Sequence, residues 1–306
     1  MRFDNPSPAV QKHVDKVVKG FVDGLKNGRI PWVKPWRTFG RPMPYNGSTG
    51  KDYQGINELF LQGLSPTNEF WTEKQAEKAG GRLVKRSGGV TVIFEAPMRG
   101  KEVVERHESS EDATGFMSHT FIAYPRECFE GLKPSKYAGP PPPPVDSDGH
   151  KRSEHVEAAI KATRAKIKEM QSDRAFYSRS HDVVVVPTIG QFTSAESYYA
   201  TLWHELTHWS GGPTRLKREF GTQFGDDKYA FEELVAEIGA ALCCSALGIQ
   251  TDRVQHQAYI NDWISNLTNQ PTYLMRAAAK ASQALEYLLP NLHKPVAPPK
   301  PKKSKK

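Results

Sequence analysis

The segment TLWHELTHWSGG, residues 201–212, constrains the fold and the chemistry of this chain more than any other stretch. It carries His204 and His208 four residues apart, with Glu205 directly after the first histidine. On an α-helix, side chains four residues apart lie one turn apart on one face, so the two imidazoles can converge on one point. The alternative is an ordinary helix surface, but the apolar residues at helical spacing lie on the other side: Tyr199, Leu202, Leu206 and Trp209.

The chemistry of zinc peptidases needs this arrangement. Two neutral imidazoles hold the ion, a third protein ligand completes the set, and the fourth position stays open for water. Glu205 lies beside that point and accepts a proton from the water, whose acidity the metal raises. The motif therefore predicts one Zn²⁺ per chain, with His204 and His208 as ligands and Glu205 as the catalytic base.

The third ligand is expected on the next helix, which contains three glutamates within the stretch FEELVAE. Glu233 and Glu237 share a helix face, so one can bind the metal while the other hydrogen-bonds a ligand imidazole. Glu232 points about 100° away and is expected on a solvated surface. The string ELVAE, residues 233–237, resembles the glutamate helix of gluzincin peptidases. That resemblance favours Glu233 as the ligand and Glu237 as its second-sphere support, and the reverse assignment stays open.

Periodicity predicts an alternation of helices and strands along the chain. Strand patterns occur as a hairpin around Gly88 and Gly89 and as strands over residues 117–129 and 181–187, the last apolar enough to be buried on both faces. Thr72 is a predicted N-cap, and Thr193 with Glu196 a predicted capping box. Helices are expected over residues 6–28, 153–170, 193–210, 226–248, 252–267 and 272–288.

Five consecutive prolines, residues 140–144, interrupt this alternation. They predict a linker or exposed loop over residues 136–153, between domains at 1–135 and 154–290, with a basic disordered tail at 291–306. The fold class is therefore α+β, with a small N-terminal α+β domain followed by a zincin-like, gluzincin-type metallopeptidase domain.

Cysteine usage and hydropathy indicate in which cellular compartment the protein is expected. Cys128, Cys243 and Cys244 are too few for a disulfide framework, and the last two lie in an apolar helix as packing atoms. The first residues, MRFDNPSPAV, contain no apolar run typical of a secretory signal. No stretch approaches the roughly 18 apolar residues of a membrane span. A cytoplasmic protein without a membrane partner is expected.

Positive charge concentrates in the N-terminal region, where residues 1–101 carry 17 Lys and Arg against 9 Asp and Glu. There the segment WVKPWRTFGRPMPYNGSTGKDYQG alternates aromatic with basic residues. Aromatic faces stack on unpaired bases and basic side chains follow phosphates, a combination typical of single-strand binders. The alternative is that the tryptophans fill a small core and the basic residues are solvated. The predicted DNA contacts are Trp32, Lys34, Trp36, Arg37, Arg41, Tyr45, Lys51, Tyr53, Lys85 and Arg86.

Four N-terminal stretches, WVKPW, PYNGSTGKDYQGIN, FWTEKQAEKAGGRLVKRSGGVTVIF and SHTFIAYPRECFEGL, resemble the N-terminal domain of ArdC-type antirestriction proteins. That domain is shared with TraC-type primases of conjugative plasmids. The stretches RSHDVVVVPTIGQFTSAESYYATLWHELTHWSGG and YAFEELVAEIGAAL resemble the zincin-like peptidase domain of the same proteins. The resemblance implies that the chain binds single-stranded DNA, with weaker duplex binding, and protects incoming plasmid DNA during conjugation.

Two hypotheses remain open at this level. In the first, the chain is a plasmid-type antirestriction protein that protects DNA by binding it and also carries a peptidase-like domain. In the second, it is an active zinc peptidase that cleaves a host or DNA-bound protein, and DNA binding only localises it. The sequence identifies neither a specificity pocket nor a protein substrate.

Overall fold

The structure, a computed structural model, describes residues 8–27, 40–62, 64–97, 116–143, 145, 149–221, 227–250 and 260–292. Its helices are α1 (Pro8–Lys26), α2 (Ile56–Leu61), α3 (Glu73–Lys78), α4 (Glu154–Thr163), α5 (Ala195–Ser210), α6 (Asp227–Ala246), α7 (Ile260–Asn269) and α8 (Thr272–Leu288). Its strands are β1 (Tyr45–Asn46), β2 (Glu69–Trp71), β3 (Arg82–Leu83), β4 (Val90–Pro97), β5 (Phe116–Pro125), β6 (Phe129–Glu130), β7 (Lys166–Met170), β8 (Phe176–Ser178) and β9 (Val183–Pro187). This mixture of helices and small sheets confirms the α+β class.

The N-terminal region is built on a four-stranded sheet in the order β1-β2-β5-β4. The long strands β4 and β5 pair antiparallel, from Val90 opposite Ala123 to Pro97 opposite Phe116. The predicted hairpin around Gly88 and Gly89 is wrong, because β3 pairs with β6 and not with β4. A glycine pair marks a turn, here the single 3₁₀ turn before β4, but it does not select the strand's partner.

The predicted cap of α3 is confirmed. The hydroxyl of Thr72 accepts a hydrogen bond from the backbone N–H of Gln75, and the side chain of Gln75 accepts one from the backbone N–H of Thr72. The helix ends before Gly80, whose φ of 85° is readily accessible to glycine. Local capping chemistry therefore fixes this helix from sequence alone.

The C-terminal region contains a three-stranded sheet in the order β7-β9-β8. The central strand β9 is buried as predicted, since Val184 and Val186 are fully enclosed. The predicted helix over residues 153–170 is wrong beyond Thr163, because Arg164 adopts a left-handed φ of 61° that ends α4. The following residues instead form β7, parallel to β9, with Ile167 packed towards the core.

Helix α5 begins one residue later than predicted. Ser194, not Thr193, caps it by accepting a hydrogen bond from the backbone N–H of Ser197. Glu196 is buried and accepts a hydrogen bond from the backbone N–H of Gln250 at 3.1 Å instead of closing a capping box. The side chain of Glu196, which the local pattern assigned to the capping box, thus makes a tertiary contact instead.

One hydrophobic core joins the N-terminal helices to the C-terminal ones. Val14 and Val18 of α1 share it with Trp263 of α7 and Leu285 of α8. Helices α1 and α7 pack against each other, as do α2 and α8. The predicted boundaries at residues 135 and 154 stay a prediction, and the structure adds that residues on both sides of them fill the same core.

Buried polar contacts reinforce this joint. Glu58 of α2 is fully buried and accepts a hydrogen bond from the hydroxyl of Ser282 in α8, which also accepts one from the N–H of Gly55 at 3.1 Å. Gln62 donates to the hydroxyl of Ser245 at the end of α6. Cys243 and Cys244 of α6 are buried free thiols, as expected of packing atoms.

The proline segment contacts the C-terminal half at Gly248, although Pro140, Pro141 and Pro143 are exposed. Val145 is buried in the core shared by the two halves. Gly248, which follows α6 with a φ of 72°, lies so close to the segment that an added Cβ would sit 2.7 Å from the carbonyl oxygen of Pro143. Within the part of the chain that the structure describes, no helix combines the length and apolar character needed to cross a bilayer.

We expect Gly248→Ala to destabilise the fold by about 1–3 kcal/mol, because a side chain there is strained by the positive φ and collides with the proline segment. Thermal unfolding monitored by circular dichroism measures the loss. Gly20→Ala is the matched control, since its Cβ would meet nothing within 4 Å and alanine favours the helix interior. An unchanged melting temperature for Gly248→Ala would show that the proline segment does not pack there.

Candidate metal centre

Helices α5 and α6 bring His204, His208 and Glu233 together as a cluster that could hold a metal ion. The two Nε2 atoms of the histidines lie 3.1 Å apart. Glu233 places one carboxylate oxygen 3.6 Å from Nε2 of His204 and the other 3.5 Å from Nε2 of His208. All three side chains are buried, with at most 9% of any residue exposed.

These distances fit a tetrahedral metal ion. With metal–ligand bonds of about 2.0–2.2 Å, donors in a tetrahedral site lie about 3.3–3.5 Å apart. The distance between the two Nε2 atoms and the distance from each of them to the nearer Glu233 oxygen lie close to that value, although the two histidines face different oxygens of the carboxylate. Two imidazole nitrogens and one carboxylate oxygen leave a fourth position open, as in catalytic sites. The residues present therefore fit a divalent metal.

A glycine makes this cluster possible. Gly239 of α6 packs against Thr207 of α5 so closely that an added Cβ would lie 2.6 Å from the Thr207 methyl carbon. The two helices that carry these residues pack against each other. The absence of a side chain at Gly239 lets the backbones approach, and Glu233, on the same helix, reaches the two imidazoles.

His208 is held from behind by Glu232. Its Nδ1 atom donates to Glu232 at 3.1 Å, and the Arg218 guanidinium donates to both oxygens of the same carboxylate, with closest distances of 2.8 and 2.9 Å. Arg218 also donates to the hydroxyl of Ser210 at 3.0 Å and to the carbonyl of Thr207. This network fixes the orientation of the imidazole, as carboxylates commonly do for metal-bound histidines.

The expectation that Glu232 is solvated is wrong, because the residue is 3% exposed. The chain after α5 folds back and places Arg218 over the start of α6, which closes off the face that helix geometry leaves open. No local spacing links Arg218 to Glu232. Within α6, the sequence gives one indication of this role, which is that Glu232 is adjacent to the predicted ligand Glu233.

Charge around His208 sets its protonation when no metal is bound. Burial alone would lower the pKa of His208, but the hydrogen bond that it donates to Glu232 and the charges of Glu233, Glu232 and Glu205 raise the pKa to about 9. Burial favours the neutral acid of Glu232, yet His208 and Arg218 together lower its pKa. A metal ion would therefore replace a proton at His208.

Glu237 lies on the far side of His204 from the cluster. Its carboxylate is 3.9 Å from Nδ1 of His204, whereas the atoms that face Glu233 are the Nε2 atoms. The geometry gives Glu233 the position of a ligand and Glu237 a position behind the imidazole.

A cleft of about 200 Å³ opens onto the cluster. Glu205 faces it beside the two histidines. The strand that borders the cleft is β8, the edge of its sheet, whereas the strand noticed in the sequence, β9, lies in the centre. Phe176 of β8 is 46% exposed at the border. The other lining residues outside the cluster are Ala175, Tyr177, Arg179, Phe220, Gly221, Tyr229 and Glu232.

Arg215 fixes β8 beside α5, the helix that contains His204 and His208. Its guanidinium donates to the hydroxyl of Tyr177 at 2.8 Å and to Asp182 at 2.7 Å, on either side of the turn between β8 and β9. It also lies 4.1 Å from the ring of Trp209, near the end of α5. One side chain thus ties the edge strand to the helix that carries both histidines.

Six of the ten predicted DNA contacts lie in the part of the chain that the structure describes. Trp32, Lys34, Trp36 and Arg37 lie outside the described residues. Lys51 and Lys85 are exposed, and Arg86 is exposed while it pairs with Glu73 at 2.7 Å.

The other three predicted contacts have internal partners. Arg41 is buried and pairs with Asp52 at 2.5 Å. The hydroxyl of Tyr45 donates to the buried Glu69 at 2.9 Å, and its ring is 1% exposed. Tyr53 is half-buried and makes an edge contact with Phe70. Arg41 and Tyr45 therefore hold the fold together and offer no open face to a base or phosphate, because each is enclosed by its partner.

Comparison with known proteins identifies the family. Residues 11–122 match the family described as the N-terminal domain of anti-restriction factor ArdC, and residues 154–280 match a zincin-like metallopeptidase family. The crystal structure of metal-free antirestriction ArdC protein from plasmid R388 aligns with a TM-score of 0.74 and 31% identity, over 91% of this chain and 97% of that one. The chain belongs to the ArdC antirestriction family.

Further relatives extend this match. The Mn(II)-bound structure of the R388 ArdC protein aligns with the same TM-score at 28% identity and the same coverage. Two DNA primases TraC from Escherichia coli are 34% and 35% identical over 94% and 90% of the chain. The chain spans only 20% and 27% of the length of those two primases.

We expect Glu232→Gln to weaken metal binding about 10–100-fold, because the amide cannot match the carboxylate that orients His208 and accepts from Arg218. Competition of the full chain with a calibrated chelator measures the affinity. Glu219→Gln, which removes an exposed carboxylate paired only with Lys228 among the described residues, is the control and keeps the wild-type affinity. Equal affinities for both variants would show that the network behind His208 does not support the site.

Proposed function

We propose that this chain is a plasmid-type antirestriction protein that binds single-stranded DNA through its N-terminal region and carries a zinc peptidase site. The observation that supports the peptidase site is the convergence of His204, His208 and Glu233 with Glu205 in one cleft. Family membership supports antirestriction, and the match to the ArdC N-terminal domain supports contact with DNA.

His204, His208 and Glu233 would hold the metal, with Glu237 behind His204. We propose zinc, because a set of two histidines and one glutamate with an open position is typical of zinc peptidases. Nitrogen and oxygen sites also bind zinc more tightly than manganese, the metal named for the R388 protein. When bound, the metal supplies Lewis acidity that polarises a carbonyl and acidifies a water molecule.

The protein groups around that position supply the rest of the chemistry. Glu205 accepts the proton of the attacking water and delivers it to the leaving amine, as a general base and then a general acid. Among the described residues, β8 pairs only with β9, so its outer backbone groups face the cleft, where an extended peptide can add as a further strand. Burial of the cluster limits water around the reacting groups.

For the DNA-binding region, we propose that Trp32 and Trp36 stack on unpaired bases while Lys34, Arg37 and Lys51 follow the phosphates. Lys85 and Arg86 are exposed basic groups that extend the positive charge. Occupancy of the incoming strand is sufficient to shield it, so protection follows from binding. The second candidate is that protection requires cleavage of a host or DNA-bound protein, and the intact Glu205 favours it.

Replacing Glu205 with alanine separates the two candidates. We expect the variant to keep its fold, its metal and its affinity for DNA, because Glu205 belongs to neither the ligand set nor the N-terminal region. Hydrolysis of peptides drops by at least about 100-fold, since the water loses its proton acceptor. Protection of DNA in a conjugation assay stays at the wild-type level.

The control is Glu219→Ala, an exposed glutamate outside the cleft. A folded, metal-loaded Glu205→Ala protein that binds DNA but fails to protect would refute protection by occupancy and support the second candidate. A wild-type protein that holds zinc yet hydrolyses no peptide in a broad library would refute the peptidase function.

Single-strand binding by the N-terminal region can be measured directly with a fluorescent oligothymidylate. We expect affinity to fall steeply as salt rises, because phosphate contacts release counterions. Trp36→Ala costs about 1–3 kcal/mol of binding if its ring stacks on a base. Circular dichroism and the Trp71→Phe variant, which alters a buried tryptophan, control for loss of fold. Equal affinity of the wild type for duplex and single strand would contradict the stacking mechanism.

A further inference from the structure

The metal cleft contains a cation that the proposed chemistry does not use. Arg179 directly follows β8 and lines the cleft together with the cluster. Its guanidinium lies 4.6 Å above the ring of Phe220, a cation–π contact that orients the group while leaving its N–H donors available. The Phe220 ring in turn lies 6.2 Å from the ring of His208. One aromatic ring thus separates Arg179 from a proposed metal ligand.

The other charged groups that line the cleft have assigned roles. Glu233 is a proposed ligand, Glu205 the proposed base, and Glu232 is engaged by Arg218 and His208. Arg179 has no carboxylate partner among the residues that the structure describes. An arginine stays charged at any physiological pH and presents a planar set of donors that matches a carboxylate. Within this described lining, Arg179 is the available anion-binding group.

Arg179 and the cluster line the same cleft, where a substrate side chain can meet the guanidinium. A peptide added along β8 is extended and advances about 3.3 Å per residue. Because Arg179 directly follows β8 and the Phe220 ring lies between it and His208, a carboxylate a few residues from the cleaved bond can reach the guanidinium. The exposed Phe176 at the same border gives the neighbouring position an apolar surface.

We propose that Arg179 is a specificity-determining residue that selects peptides carrying an acidic side chain close to the scissile bond. This inference rests on the proposed peptidase function and adds the class of substrate to it. A neutral side chain at that position leaves the guanidinium with water only, whereas a glutamate gains a charge-assisted hydrogen bond.

The test uses the zinc-loaded full chain and two peptide hydroxamates that differ only in a glutamate or a glutamine beside the zinc-binding group. Calorimetry gives the ratio of their affinities without requiring turnover. We expect the wild type to prefer the glutamate ligand about three- to tenfold at low salt, a moderate effect because Arg179 is exposed. Arg179→Gln removes the preference and Arg179→Lys keeps part of it. Arg174→Gln is the matched control, because this exposed arginine lies outside the cleft lining and keeps the wild-type ratio.

Three results would overturn the assignment, and they are distinguishable. If the wild type binds both hydroxamates equally, the cleft accepts peptides but Arg179 does not select acidic ones. If neither hydroxamate binds to the zinc-loaded wild type, the proposed peptidase function fails as well. If Arg179→Gln keeps the glutamate preference but weakens binding of the oligothymidylate, Arg179 contacts phosphate and not peptide.

Discussion

The close approach of α5 and α6 at Gly239 and Thr207 is the contact on which the rest of the metal centre depends. Two histidines on one helix supply two donors at most, and the third must come from a neighbour at a distance set by helix packing. A side chain at Gly239 would force Thr207 or α6 to shift. With glycine there, the two helices pack closely and the three side chains lie 3.1–3.6 Å apart.

Burying so many ionisable groups is costly unless each is paired. Behind the cluster, Arg218, Glu232 and His208 form a continuous network in which both carboxylate oxygens of Glu232 are hydrogen-bonded. In front of it, the cleft leaves Glu205 accessible. The charges behind His208 are therefore paired within the protein, whereas the carboxylate of Glu205 faces the cleft. Arg215 links the edge strand β8 to the end of α5.

Residues from both halves of the chain fill one hydrophobic core. Helix α1, which precedes the predicted DNA-binding segment, packs against α7, and buried polar contacts from α2 reach α6 and α8. The described part of the N-terminal half is thus packed against the half that contains the cleft. The chain matches both TraC primases over nearly its whole length, and the matched part accounts for 20% and 27% of their lengths.

Local sequence determined the elements whose signals lie within one turn or one strand. These include the faces of α5 and α6 that carry His204, His208 and Glu233, the cap of α3 at Thr72, and the buried strand β9. Tertiary structure alone decided the partner of Glu232, the end of α4 at Arg164, the pairing of β4 with β5, and the choice of β8 as the border of the cleft. The reason is physical: helical and strand periodicity arrange residues a few positions apart, whereas these contacts join segments whose separation along the chain leaves no periodic trace.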